Sequence, residues 1–333
     1  MIVEHDEGPA RLTGGFGSGK TTALRRRSER LRAAGGRVLE MRPPDVPAFA
    51  VGVLRRAGVD RRLLAPRDQQ EIVASLLADA DQPLVGEISA TVLAYQASFL
   101  GAEELFVHAE AAGELDRAEE LHRLTDAYLS HLDTLGAVDE AGAIVHASLL
   151  LRGADALAHE RARFDFLAVD DFQLATFAVN RLVSQLAGQA GNVVAAGNLD
   201  AAVGEAFGIP VSGSHLDAFA RRFGATVDVA IDGPSLRQPR RAGAPDAIVL
   251  DHATAPATVG MEWPAVAVRG ADEDGWLDAP PCPRYRWFDR ALFAGPDTPD
   301  DDERAEQWTD ECRRRFLVAC SRATERLAFL PEG

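Results

Sequence analysis

Apolar positions along this chain follow two rhythms. Short, nearly continuous runs predict buried strands at Ala10–Thr13, Arg37–Met41, Phe164–Val169 and Asn192–Ala196. Between them, apolar residues recur three and four apart. That spacing marks Arg67–Leu151; a helix is also expected over the helix-permissive stretch from Thr22 to about Ala34, closed by Gly35-Gly36, and another at Leu174–Leu186. From Arg67 to about Leu151 the pattern is helical and dominated by Leu, Ala and Glu. Leu121, Leu124, Tyr128, Leu132 and Leu135 form one stripe there, assigned to core packing. Farther on, shorter strands are expected at Thr226–Ile231, Ala247–Leu250, Pro264–Val268 and Leu327–Leu330, with a charged helix at Glu303–Cys320. Gly270–Pro283 and Gly295–Asp302 read as loops. Strands alternating with helices argue for an α/β fold with a doubly wound parallel sheet.

The 333 residues leave room for two or three compact domains, and an apolar share of 47% can supply an ordinary core. The best candidate for a membrane span, Ile144–Ala158, is broken by Arg152 and Asp155. Met1–Glu7 lacks the basic-then-apolar layout of a secretion signal. Cys282, Cys312 and Cys320 match no metal-ligand spacing, so reduced thiols in the cytoplasm are the expectation. Formal charge is −16, which argues against broad, nonspecific gripping of nucleic acid. Arginines cluster at Arg25–Arg27, Arg61–Arg62, Arg237–Arg241 and Arg313–Arg315, and each group reads as a solvated face or loop.

One segment changes the picture from architecture to chemistry. Gly14-Gly15-Phe16-Gly17-Ser18-Gly19-Lys20-Thr21 fits G-x-x-x-x-G-K-[ST], between a predicted strand and a predicted helix that Thr22 opens. Glycines let the backbone wrap a phosphate with its N–H groups inward, and the helix adds its positive end. Lys20 is the candidate ligand of the β- and γ-phosphates, and Thr21 of Mg²⁺. The alternative is a glycine-rich turn before a basic helix. Such a loop needs a metal-holding carboxylate at a neighbouring strand end. Asp170 ends the Phe164–Val169 run and suits that role, while Asp171 is placed to activate an attacking water.

Asp170-Asp171-Phe172-Gln173 resembles the D-E-F-Q box of UvrD/Rep/PcrA-type superfamily I helicases. Other segments follow in that family's order. Leu124–Leu151, with Gly136-Ala137-Val138-Asp139, resembles its helical insertion. Gly197-Asn198-Leu199-Asp200-Ala201 resembles G-D-P-D-Q, and Gly260-Met261-Glu262-Trp263 resembles G-L-E-[FW]. Arg315–Leu327 resembles the closing Y-V-A-x-T-R-A-x-x-x-L motif.

The resemblance implies a P-loop NTPase of two RecA-like cores with parallel sheets. The first would span 1–212, with a helical insertion at about 67–151, and a shortened second would span 213–333. It implies ATP and Mg²⁺ as ligands, with Gly14 to Thr22 and Glu262 around the nucleotide. Asp170 would hold metal, Asp171 would replace the family's catalytic Glu, Gln173 would sense the γ-phosphate and Arg322 would be an arginine finger. Implied partners are single-stranded DNA and a protein of a DNA-repair complex, without a membrane.

Departures from the family pattern bear on function. Met1–Leu12 contains no Gln to read adenine, and Met41-Arg42-Pro43-Pro44 replaces a Thr-rich motif. Asp171 is one methylene shorter than Glu. Ala201 stands where the family has Gln, Val259 where it has Lys, and the expected DNA-stacking aromatic is absent. Arg237–Arg241 is the candidate for the fourth motif, and no room remains before Gly260 for a large accessory domain. Two functional expectations follow: an ATP-hydrolysing, UvrD-like DNA translocase or helicase, or a degenerate ATP-binding regulatory or scaffold subunit with little unwinding.

Overall fold

A computed structural model describes residues 2–77, 81–188, 191–211, 213–225, 227–231, 240–241, 246–270, 276, 287–297 and 299–330. The molecule is mixed α/β, built on two parallel sheets. Five strands make the first: β1 (Ala10–Gly14), β2 (Val38–Met41), β3 (Phe166–Val169), β4 (Val193–Gly197) and β5 (Val227–Ile231). Their spatial order is β2-β3-β4-β1-β5, with every neighbouring pair parallel. All five residues of β4 are buried, as a strand covered on both faces requires.

Helices cover both faces of this sheet. On one, α1 (Lys20–Ala33) contributes Leu24 to a small cluster with Ile2, Leu12 and Val194. On the other lie α2 (Val46–Arg56), followed farther along the chain by α7 (Glu140–Leu150) and α9 (Phe177–Ala187). Their Val53, Ile144 and Leu182 share the largest core with Leu167 and Val193. Between α2 and α7 come α3 (Pro66–Leu76), α4 (Gln82–Ser98), α5 (Ala102–Ala112) and α6 (Leu115–Thr134), which bury a second core of their own. α8 (Ala154–Arg161) leads back to β3. The helical stretch expected over 67–151 is therefore present as separate helices, with a two-residue strand, Ala137–Val138, paired to Arg62–Leu63. Leu121, Leu124, Tyr128 and Leu132 are buried as the stripe predicts, but Leu135 is 44% exposed because the helix has ended at Thr134.

After β4 come the short helices α10 (Ser214–Asp217) and α11 (Phe219–Phe223), then β5. The second sheet has the order β6-β9-β8-β7, again parallel: β6 (Arg240–Arg241), β7 (Ile248–Leu250), β8 (Trp263–Arg269) and β9 (Ala323–Leu330). The helix α12 (Asp301–Ser321) feeds β9 and starts in a capping box. There Asp300 accepts from the Glu303 amide, and the Glu303 side chain accepts from the Asp300 amide.

Several expectations are corrected. β5 pairs with β1, so the first sheet extends to Ile231 and a boundary at 212 cuts through it. Phe288 and Leu292, far along the second half, are buried in the α3–α6 core. The helix expected from Leu174 begins at Phe177, because Phe172–Leu174 form a 3-10 turn and Thr176 caps α9. Within the expected loop Gly295–Asp302, a 3-10 turn runs to Asp297 and α12 starts at Asp301. Most of Gly270–Pro283, including Cys282, and Arg237 itself lie outside the described residues. No single described helix is long and apolar enough to cross a membrane.

Candidate functional site

Parallel strands end at one edge of their sheet, and here that edge gathers the polar sequence motifs. The Gly14–Thr21 loop follows β1, Arg42 follows β2, Asp170-Asp171 follow β3, and Asn198-Leu199-Asp200 follow β4. Gly19 sits at φ +92°, a left-handed conformation that turns the chain into α1. Lys20 reaches back over the loop, and its Nζ donates to the carbonyls of Gly14 and Gly15, 2.8 Å each, and to Ser18 Oγ at 3.4 Å. Among the described residues, nothing lies within 4 Å of where a Cβ on Gly15 would be.

The Thr21 hydroxyl lies close enough to the Asp170 carboxylate to favour its charged form, which sets the loop beside the end of β3. The Asp171 amide donates to Asp170 Oδ1 at 3.0 Å. Burial, then the charge on Asp171, push the Asp170 carboxyl above its ordinary range; Thr21, the Asp171 amide and Arg42 oppose the rise. Burial also lowers the Lys20 ammonium from its usual value, against the attraction of Asp170, Asp171 and Asp200. Both groups are thus desolvated at one place.

Gln173 is buried beneath them and fixed at both ends of its amide. Its Oε1 accepts from the Asn198 amide at 3.1 Å, and its Nε2 donates to Asp171 Oδ1 at 3.3 Å. A Cβ on residue 197 would strike Gln173 Oε1, so glycine there lets the two strand ends approach. The Asn198 side chain accepts from the Asp200 amide, and its buried Nδ2 has no hydrogen-bond partner among the described residues.

The second sheet meets this edge through Arg322, at the start of β9. Its guanidinium donates to the carbonyls of Val318 (3.1 Å) and Met261 (3.0 Å) and to Ser321 Oγ (2.7 Å). It also lies over the Phe16 ring, 5.5 Å from the centroid. Phe16 packs beside Ala201, Val203, Val259 and Val318, a small apolar contact between loop and second sheet. Glu262 is exposed, directly before β8 and next to the Met261 carbonyl that holds Arg322. Thr22 is exposed on the first turn of α1.

The structure thus brings together Lys20, Thr21, Asp170, Asp171 and Gln173, with Arg322 against the loop through Phe16. Three further residues join them. Asp200 adds a third carboxylate near Lys20, Asn198 ties Gln173 to the end of β4, and Arg42 pairs with Asp171. Their position after a strand was the available signal.

The donor set can be tested for a cation. Among the described residues no three His, Cys, Asp or Glu side chains form a metal-binding group. Thr21 and Asp170 instead offer two hard oxygens, the partial set that magnesium takes when substrate phosphates and water complete its shell. Amides and Lys20 suit an anion. The residues fit a magnesium-bound phosphate ester. No protein-family model matches this chain, and no curated protein matches it.

Proposed function

We propose that this chain binds ATP with Mg²⁺ and hydrolyses it between two RecA-like cores, in the manner of the UvrD-like helicases its motifs resemble. The observation that carries the reading is the closeness of Lys20 and Thr21 to the Asp170 carboxylate. Residues of the glycine loop and of the β3 end, far apart in the sequence, thus act on one another. In this reading Lys20 leaves the Gly14 and Gly15 carbonyls for the β- and γ-phosphates, and the loop amides and the start of α1 hold the rest of the chain of phosphates. Thr21 and Asp170 would hold magnesium, which neutralises charge on the phosphate oxygens when bound. Gln173, locked between Asp171 and Asn198, links the state of the γ-phosphate site to the end of β4. Arg322, already against the loop, is the candidate arginine finger from the second core.

A second reading has its own support. Ala201, the missing stacking aromatic, the −16 charge and an Asp171 engaged by Arg42 favour an ATP-binding regulatory or scaffold subunit, acting on DNA or on a protein of a DNA-repair complex without unwinding. Steady-state ATP hydrolysis with and without single-stranded DNA separates them. Turnover stimulated several-fold by DNA supports the translocase, and turnover or binding indifferent to DNA supports the subunit. No ATP binding at all removes both.

A further inference from the structure

Arg42 was assigned no role in the resemblance, yet it holds the group that the ATPase reading needs free. It stands just past β2, extended at φ −124° and ψ 153°, with Pro43 and Pro44 stiffening the turn that follows and its own amide donating to Asp45 Oδ2 at 3.2 Å. From this fixed mount its Nη2 and Nε donate to Asp171 Oδ2 at 2.6 and 3.1 Å. The other carboxylate oxygen, Oδ1, accepts from Gln173 Nε2. Asp171 is also the residue that takes a left-handed conformation, φ +53°, which narrows the directions its short side chain can reach. Both of its oxygens are therefore engaged within the protein.

Arg42 also touches the second half of the chain. A Cβ on residue 260 would come within 2.9 Å of Arg42 Nη2, so the bare backbone of Gly260, φ +83°, lies directly against the guanidinium. Gly260 belongs to the segment Gly260–Trp263 whose Met261 carbonyl holds Arg322. One arginine thus contacts the candidate base on the first sheet and the segment carrying the candidate finger's anchor on the second.

We propose that Arg42 is a brake on hydrolysis: it is a positioning residue that keeps Asp171 out of use until the Gly260 segment moves. The inference rests on the ATPase reading. In that reaction the water oxygen bonds to the γ-phosphorus as the bond to the bridging oxygen breaks. ADP leaves with the electron pair, and the water's proton passes to a carboxylate oxygen of Asp171. The guanidinium fills both acceptor sites of Oδ2 and Gln173 one of Oδ1, so the fork draws the carboxylate towards Arg42 and leaves that water one site out of four. Movement of the second sheet shifts the backbone lying on Arg42 and frees Oδ2.

The test measures ATP hydrolysis and fluorescent-ATP binding for the intact chain and for Arg42→Gln, Arg42→Lys and Lys20→Ala, with far-UV circular dichroism as the fold check. Arg42→Gln should raise kcat roughly three- to ten-fold, the scale of a half-exposed ion pair, with nucleotide affinity unchanged within about two-fold. Arg42→Lys, which keeps the charge but not the fork, should fall between. In an Asp171→Asn background, Arg42→Gln should give no gain. An unchanged or lower kcat for folded Arg42→Gln, or a gain that survives Asp171→Asn, overturns the brake while leaving the ATPase reading intact. Hydrolysis that persists in Lys20→Ala, or absence of nucleotide binding, overturns the ATPase reading and the brake with it.

Discussion

The edge of the first sheet and the facing edge of the second are built on opposite plans. The first collects the ends of β1, β2, β3 and β4, so its loops crowd a lysine, an arginine and three aspartates into one patch. Burial pushes Lys20 and Asp170 away from their charged forms, and a phosphate with its cation would pull these two back. The second edge presents the starts of β8 and β9 and offers mainly one buried cation, Arg322, held by neutral carbonyls and an aromatic ring. In the function proposed, one side binds and the other answers what is bound.

That division can be broken most directly at Lys20. Lys20→Ala should reduce kcat/KM by at least roughly three orders of magnitude through lost binding, read by titration with fluorescent ATP. Retained affinity would mean the first edge is not the binding edge. Arg322→Ala should act differently, lowering kcat about 100-fold while moving affinity less than about three-fold. If affinity collapses equally, the two edges share one task and the comparison fails.

A smaller effect sharpens it from the side of stability. His215, on α10 behind the Gln173 turn, is lowered from 6.5 to about 4, chiefly by burial and then by Arg222. Between those values the unfolded chain takes up a proton that the folded chain refuses. Stability is therefore complete above pH 6.5 and lost as pH falls toward 4. Unfolding in urea at pH 7 and pH 5 should differ by about 2 kcal/mol from this group. His215→Gln should remove most of that difference, and an unchanged pH dependence would place the acid sensitivity elsewhere.

Much of the first sheet was legible because a strand covered on both faces has to be continuously apolar. Phe166–Val169 and Val193–Gly197 carry that signature, and each ends in the polar residues that mark the site. The partner of β5 was not legible. Val227–Ile231 alternates between partly buried and exposed residues, as an edge strand does, and nothing local says which sheet it joins. The same limit hid Phe288 and Leu292, whose burial depends on helices some 150–200 residues earlier in a chain read without contacts. Arg42 was visible as a departure from a family motif. Its role emerges from the sheet order, which sets the end of β2 beside the end of β3.

The pairing of β5 with β1 sets how this molecule can be divided. Severing the chain at 212 would strip the outer neighbour from β1 and uncover the N–H and C=O groups it now spends on Val227–Ile231. A bare parallel edge of that kind invites other chains to add to it. Any fragment intended to carry the glycine loop in native form has to run through Ile231.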